Sequence, residues 1–136
     1  MKPAPLLAAS GISPAQVAVA LGGLDLDQVD IRPAPVWLTR LWGKTISAMA
    51  LGTRVYIHSG SLDQDPSDLG PLIVHELAHV HQWAQLGVLR FLWRYLGGYL
   101  RGRFSGLSHE QAYRAIPLEV EAREFANQMQ GPIGPV

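Results

Sequence analysis

The sequence predicts one α+β domain in which a small antiparallel or mixed sheet packs on a single long helix. Three observations lead there. The chain has 136 residues, enough for one core that buries roughly two thirds of the unfolded surface but not for two. Two β-rich runs, 45–51 and 53–58, meet at Gly52 in the manner of a hairpin. An apolar-periodic stretch then runs from about residue 68 to Leu86 and stops at Gly87, which is the length and punctuation of a long helix.

Taken in order, residues 1–12 hold one Lys and small apolar side chains, as a secretory signal does, with 18–20 (AVA) as a formal cleavage site. Pro3, Pro5 and Pro14 oppose that reading. Residues 1–12 therefore read as a flexible terminus and the chain as cytoplasmic, with secretion the alternative. Ser13 caps a helix over 13–21, where Pro14 takes the first helical position, Gln16 closes a capping box and Gly22-Gly23 ends the helix. Residues 27–31 alternate as a strand. The run 36–42 (VWLTRLW) reads as a short helix with Trp37 and Trp42 in the core. After the hairpin, 59–70 reads as loop, Asp68 as a cap, and Pro71 as tolerated in the first turn of the long helix.

Beyond Gly87, 88–100 is again helical in period, 102–108 reads as loop, Ser108 opens a short turn or helix ending near Pro117, and a last helix covers 118–129. The domain is 13–130. The tail 131–136 (GPIGPV) cannot continue a helix and reads as flexible.

Composition narrows the chemistry. Eleven Lys and Arg balance eleven Asp and Glu, so the chain lacks the net positive field that non-specific nucleic-acid binding draws on. Nucleic acid is excluded as a partner. No run of about 20 uncharged apolar residues exists, so no membrane-spanning helix is expected. Without cysteine, disulfides, thiolate metal sites and thiol nucleophiles are all absent, and any metal must use histidine and carboxylate. No pattern bears on oligomeric state.

Inside the long helix stands His75-Glu76-Leu77-Ala78-His79. Residues i and i+4 share one helix face, so both imidazoles can reach one tetrahedral ion, and Glu76, one step round, can hold and deprotonate a metal-bound water. The bland alternative is two satisfied histidines and a solvated glutamate. It is opposed by the helix itself, whose Leu72, Ile73, Val74, Leu77, Ala78, Val80, Trp83 and Leu86 make it apolar nearly all round, leaving buried histidines in need of partners. His81 lies about 200° from His79 and is not a ligand. A catalytic zinc takes three protein ligands. On the last helix Glu119 shares its face with Ala122 and Ala126, small residues that allow close approach, whereas Glu121 stands beside Glu124 and Phe125.

His75-Glu76-x-x-His79 followed by Glu119-Val120-Glu121-Ala122 resembles the gluzincin branch of zinc metallopeptidases. The hairpin 47–56 is similar to the edge-strand hairpin preceding that helix in thermolysin-like enzymes. The stretch 45–126 resembles small bacterial zincin-like metallopeptidase domains, among them the core domain associated with extracellular contractile injection systems. The resemblance implies a zincin-like fold, one Zn²⁺ on His75, His79 and Glu119, Glu76 as general base, and an edge strand around Ala48 that binds the backbone of a peptide or protein substrate. Two positions depart from the family pattern. Arg123 stands near where many gluzincins carry an Asp that orients a zinc histidine, and no motif marks the family's transition-state donor, for which Tyr113 ranks ahead of His109 and Tyr56. The expected function is zinc-dependent peptide-bond hydrolysis. The alternative is a zinc-binding zincin-fold structural or interaction module with latent or no catalysis.

Residues 87–107 carry Arg90, Arg94, Arg101 and Arg103 among five aromatics, with no acid between Glu76 and Glu110. A membrane-surface patch, or a surface for acidic peptide segments, is one reading. The preferred one places Leu89, Trp93, Leu96 and Leu100 in the core, at i, i+4, i+7 and i+11, with the arginines on a solvated rim.

Overall fold

The computed structural model describes residues 1–42, 47–63 and 66–129, and the side chains of all but 42 and 66–68 among them. In chain order these form α1 (Pro3–Ala9), α2 (Pro14–Ala20), a 3₁₀ turn (Leu26–Gln28), β1 (Asp30–Pro33), α3 (Val36–Trp42), β2 (Ala48–Leu51), β3 (Arg54–Ile57), α4 (Ser59–Leu62), α5 (Pro66–Phe104), α6 (His109–Arg114) and α7 (Pro117–Met129). The class is mixed α+β, with a small sheet beside one long helix, as the sequence predicts.

The sheet has the order β1-β3-β2. β1 runs parallel to β3 with Ile31 opposite Val55, and β2 runs antiparallel to β3 with Ala50 opposite Val55. Gly52 turns the hairpin at φ +66°, a conformation that a residue with a Cβ adopts at a cost. Alternation along the strands buries Ala48, Ala50, Val55 and Ile57. These meet Ile73, Val74, Leu77 and Val80 of α5, and α1 and α2 close the core with Leu7 and Val17. β2 is thereby left as an outer strand beside α5.

Gly87 divides α5. Its φ of +76° and ψ of 168° are not helical, so 66–86 and 88–104 are two helices meeting at a kink, at the position where the sequence places the stop. Ser13 caps α2 through the Gln16 amide, and Ser108 and Gln111 form a capping box on α6.

Several expectations need correction. Residues 1–12 are not a loose end: Pro3 starts α1, Leu7 is fully buried, Ile12 joins the core, and Ile31 donates its amide to the Met1 carbonyl at 2.8 Å. Pro3, Leu7 and Ile12 are the buried residues of this stretch, and Gly70 permits the contact of α1 with α5 because a Cβ there would overlap Ser10. Trp37 is 68% exposed and Leu41 77%, while Leu38 is buried; α5 begins at Pro66, which puts Asp68 within the helix instead of at its cap and Pro71 beyond its first turn, and the Trp42 side chain, the start of the strand at 45 and the tail 131–136 lie outside the described residues. The expected loop 59–70 contains α4 and the first turn of α5, and the expected loop from 102 begins only after Phe104. Finally, Leu89, Trp93, Leu96 and Leu100 are exposed, and Phe91 is the buried residue of that stretch. The helix is rotated from the expected stripe because Gly98 and Gly102 face α6 and α7: a Cβ would lie 2.9 Å from Pro117 at Gly98 and 3.0 Å from Ala112 at Gly102. Packing at those glycines sets which side faces inward.

Candidate metal centre

The first part of α5 presents His75, Glu76 and His79, and α7 presents Glu119 from its first turn. Ala122 and Ala126, one and two turns on from Glu119, are buried, and these small side chains let α7 lie close against α5. Glu121 is exposed. His75 Nε2 lies 3.0 Å from Glu119 Oε1, and His79 Nε2 lies 3.1 Å from Glu119 Oε2. One ligand atom from each of the three residues falls within 4.8 Å of the others, so the group could hold a metal ion.

Gln82, one turn beyond His79, decides where the proton of His79 sits. Its Nε2 donates to the Leu118 carbonyl at 3.0 Å, which leaves Oε1 facing His79 Nδ1 at 2.8 Å. A carbonyl oxygen only accepts, so Nδ1 carries the hydrogen and Nε2 of the neutral ring is a bare lone pair. That lone pair is buried and makes no hydrogen bond, although the Glu119 carboxylate stands at 3.1 Å. Two electron-rich atoms at that distance repel unless a cation lies between them. Burial alone would favour neutral His79, but Glu119 and Glu76 outweigh it and raise its pKa. The pocket calls for positive charge, from a proton or from a metal.

Tyr95 donates to Glu119 Oε2 at 2.6 Å. Burial would raise the pKa of Glu119, yet His75, His79 and Tyr95 around it hold its carboxyl well below the ordinary range. It stays an anion. Glu76 is different: burial pushes its pKa up against the pull of His79 and His75, and its Oε2 is buried without a partner.

Two hollows flank the group. One of about 170 Å³ has an apolar wall of Met49, Trp83, Phe91 and Leu92, with Trp83 stacked on Phe91 at 3.9 Å. The other, about 440 Å³, includes Arg114, Arg123 and Asn127. Ala48, Glu76, Tyr113 and Glu119 line both, so the hollows are two arms of one groove past the β2 edge. The His58 amide donates to the Ser47 carbonyl, and antiparallel alternation then turns the peptide groups of Ala48 and Ala50 outward. Trp83 Nε1 donates to the Ala50 carbonyl at 2.9 Å, leaving Ala48 as the part of this edge turned toward the groove.

No protein-family model matches the chain, and no curated protein or solved structure does either. The site is therefore read from its own chemistry.

The structure brings His75, Glu76, His79, Glu119, Tyr113 and Ala48 to one place. His109 instead pairs with Tyr99 at 2.7 Å on the surface, and Tyr56 lines neither hollow. His81 points to the end of α2, where it would touch a Cβ on Gly22. Arg123 donates to the Arg114 carbonyl at 2.9 Å and so joins α7 to the end of α6; orientation of His79 falls to Gln82. The sequence reading misses Tyr95 and assigns no role to Gln82. Gln82 was discoverable, at i+3 from His79 on the same face. Tyr95 was not, because it reaches Glu119 across the Gly87 kink.

Proposed function

We propose that the chain is a zinc-dependent peptidase of zincin type. The observation that carries the reading is the buried Nε2 of His79, which faces the Glu119 carboxylate at 3.1 Å without a hydrogen bond, beside Glu76, a second buried carboxylate whose Oε2 has no hydrogen-bond partner. A purely structural zinc site closes its coordination with protein ligands and has no use for a spare base. Here His75, His79 and Glu119 would hold the ion, an N₂O donor set suited to zinc. Zinc would supply Lewis acidity, making water acidic enough to lose a proton near neutral pH.

The remaining roles belong to the chain. Glu76, a stronger base for its burial, takes the proton from water and returns it to the leaving amine. Tyr113, whose phenol burial and the charge of Glu119 keep protonated, donates to the oxygen that gains charge in the transition state. The Ala48 peptide group aligns an extended substrate backbone, and Met49, Trp83 and Phe91 accept an apolar side chain.

Hydrolysis of a quenched peptide library by the zinc-loaded protein tests this, with Glu76→Gln as the matched variant. The expected result is cleavage by the native chain, a loss of roughly 10²-fold or more in the variant, and zinc near one equivalent in both. Zinc without cleavage in the native chain would support the binding-module alternative, and turnover unaffected by Glu76→Gln would remove the mechanism.

A further inference from the structure

Residues 88–104 leave a row of large apolar side chains in solvent. Leu89 is 84% exposed, Trp93 80% and Phe104 85%, with Leu92, Leu96 and Leu100 at 40–55%. At about 100° of turn per residue these six fall across one sector of roughly 120°. Arg90, Arg94 and Arg101 fall together in the adjoining sector. Arg103 lies within the apolar sector near its C-terminal end, where its stem can follow the apolar surface while its guanidinium reaches outward. The opposite side of the helix, with Phe91, Gly98 and Gly102, is occupied by α6 and α7. This is an amphipathic helix with its apolar sector outward.

Charge decides what fits it. No Asp or Glu occurs between Glu76 and Glu110, and the acid that shares a hollow with Trp93, Arg94 and Arg101 is Glu121 of α7, so arginines dominate the border of the stripe. Two copies meeting through it would bring these arginine rows together with Glu121 as the nearby carboxylate, and the excess of like charge so juxtaposed opposes association. Among the described residues no helix is long and apolar enough to cross a membrane. A helix with exposed Leu, Trp and Phe on one side and arginine beside them suits the plane of an anionic lipid surface, where apolar side chains enter the acyl boundary and guanidinium groups meet phosphate and carboxylate headgroups.

We propose that residues 88–104 anchor this protein to anionic membrane surfaces, with Leu89, Trp93 and Phe104 inserted and Arg90, Arg94 and Arg101 on the headgroups. Leu92 belongs to both the stripe and the wall of the apolar hollow, so the anchor sets the groove mouth at the lipid surface. The anchor stands independently of the peptidase reading.

The test is cosedimentation of the whole chain with phosphatidylcholine vesicles, with and without phosphatidylserine, across a salt series. Binding is expected on the anionic vesicles at low salt and should weaken as the Debye length falls from about 30 Å at 0.01 M to about 8 Å at 0.15 M. Arg90→Gln with Arg94→Gln should reduce binding roughly tenfold to thirtyfold. Leu89→Gln with Trp93→Gln should abolish it while leaving the circular dichroism spectrum unchanged, since both positions are in solvent. Absence of binding to anionic vesicles overturns the proposal, as does binding that survives the Leu89 and Trp93 pair. A concentration-dependent dimer that the same pair dissolves would assign the stripe to a second copy and overturn it too.

Discussion

Gln82 Oε1 stands 2.8 Å from His79 Nδ1, and this contact settles which imidazole nitrogen is available to a metal. The same amide donates to the Leu118 carbonyl, the residue before Glu119. One side chain thus orients a histidine of α5 and ties it to the turn of α7 that presents the carboxylate.

Replacing it should therefore be felt at the metal. Gln82→Leu removes both hydrogen bonds at nearly constant volume and should weaken zinc binding by about 10- to 100-fold, read by chelator competition. Affinity equal to that of the native chain would show that Gln82 does not orient His79.

Glu119 and Glu121 are two residues apart with opposite surroundings, one buried and one exposed. Glu119→Ala should lower zinc affinity by orders of magnitude, and Glu121→Ala should leave it unchanged. Zinc retained at one equivalent in the Glu119 variant would move the third ligand elsewhere.

The two tyrosines at the groove separate by readout. Tyr95 touches Glu119, so Tyr95→Phe should appear in zinc affinity, by about tenfold. Tyr113 also reaches Tyr95 and Glu119, so Tyr113→Phe should lower kcat by roughly 10²-fold, a larger effect than it has on zinc affinity. If Tyr113→Phe turns over as the native chain does, the donor is another group.

Neighbouring glycines should respond in opposite directions. A Cβ on Gly98 would press on Pro117 and Ile116, whereas Gly97 has open space around it. Gly98→Val should cost about 1–3 kcal/mol through overpacking and displacement of α7, and Gly97→Ala should add about 0.5–1 kcal/mol, the helix-interior preference for Ala. Urea midpoints of the metal-free proteins measure both, and equal shifts of the same sign would contradict the packing described for α5 and α7.

Metal removal should destabilise the fold. Zinc at about 100 times its Kd adds about 2.7 kcal/mol to a native state that alone binds it, so chelation should lower Tm by several degrees or more. A Tm indifferent to chelator would mean that no ion bridges α5 and α7.

Local geometry accounts for what was legible without coordinates. His75 and His79 face the same way because i and i+4 always do on a helix, and Gly87 interrupts α5 where glycine readily takes a positive φ. Glu119 could be preferred to Glu121 because Ala122 and Ala126 are small, and helices approach closely where side chains are short. Each of these depends on neighbours a few residues away, which the sequence by itself determines. The inward face of 88–104 does not. Apolar residues surround that helix on most sides, Phe91 and Tyr95 on one and Leu89 and Trp93 on another, so periodicity admits more than one answer; contact of Gly98 with Pro117 and of Gly102 with Ala112 chose between them. The same holds for Leu7, whose burial needs α5 beneath it, for Trp37, left in solvent while Leu38 turns inward, and for Tyr95, which meets Glu119 only because the chain bends at Gly87. Tertiary structure decided these, because burial belongs to pairs of surfaces and one strand of sequence describes only one surface of each pair.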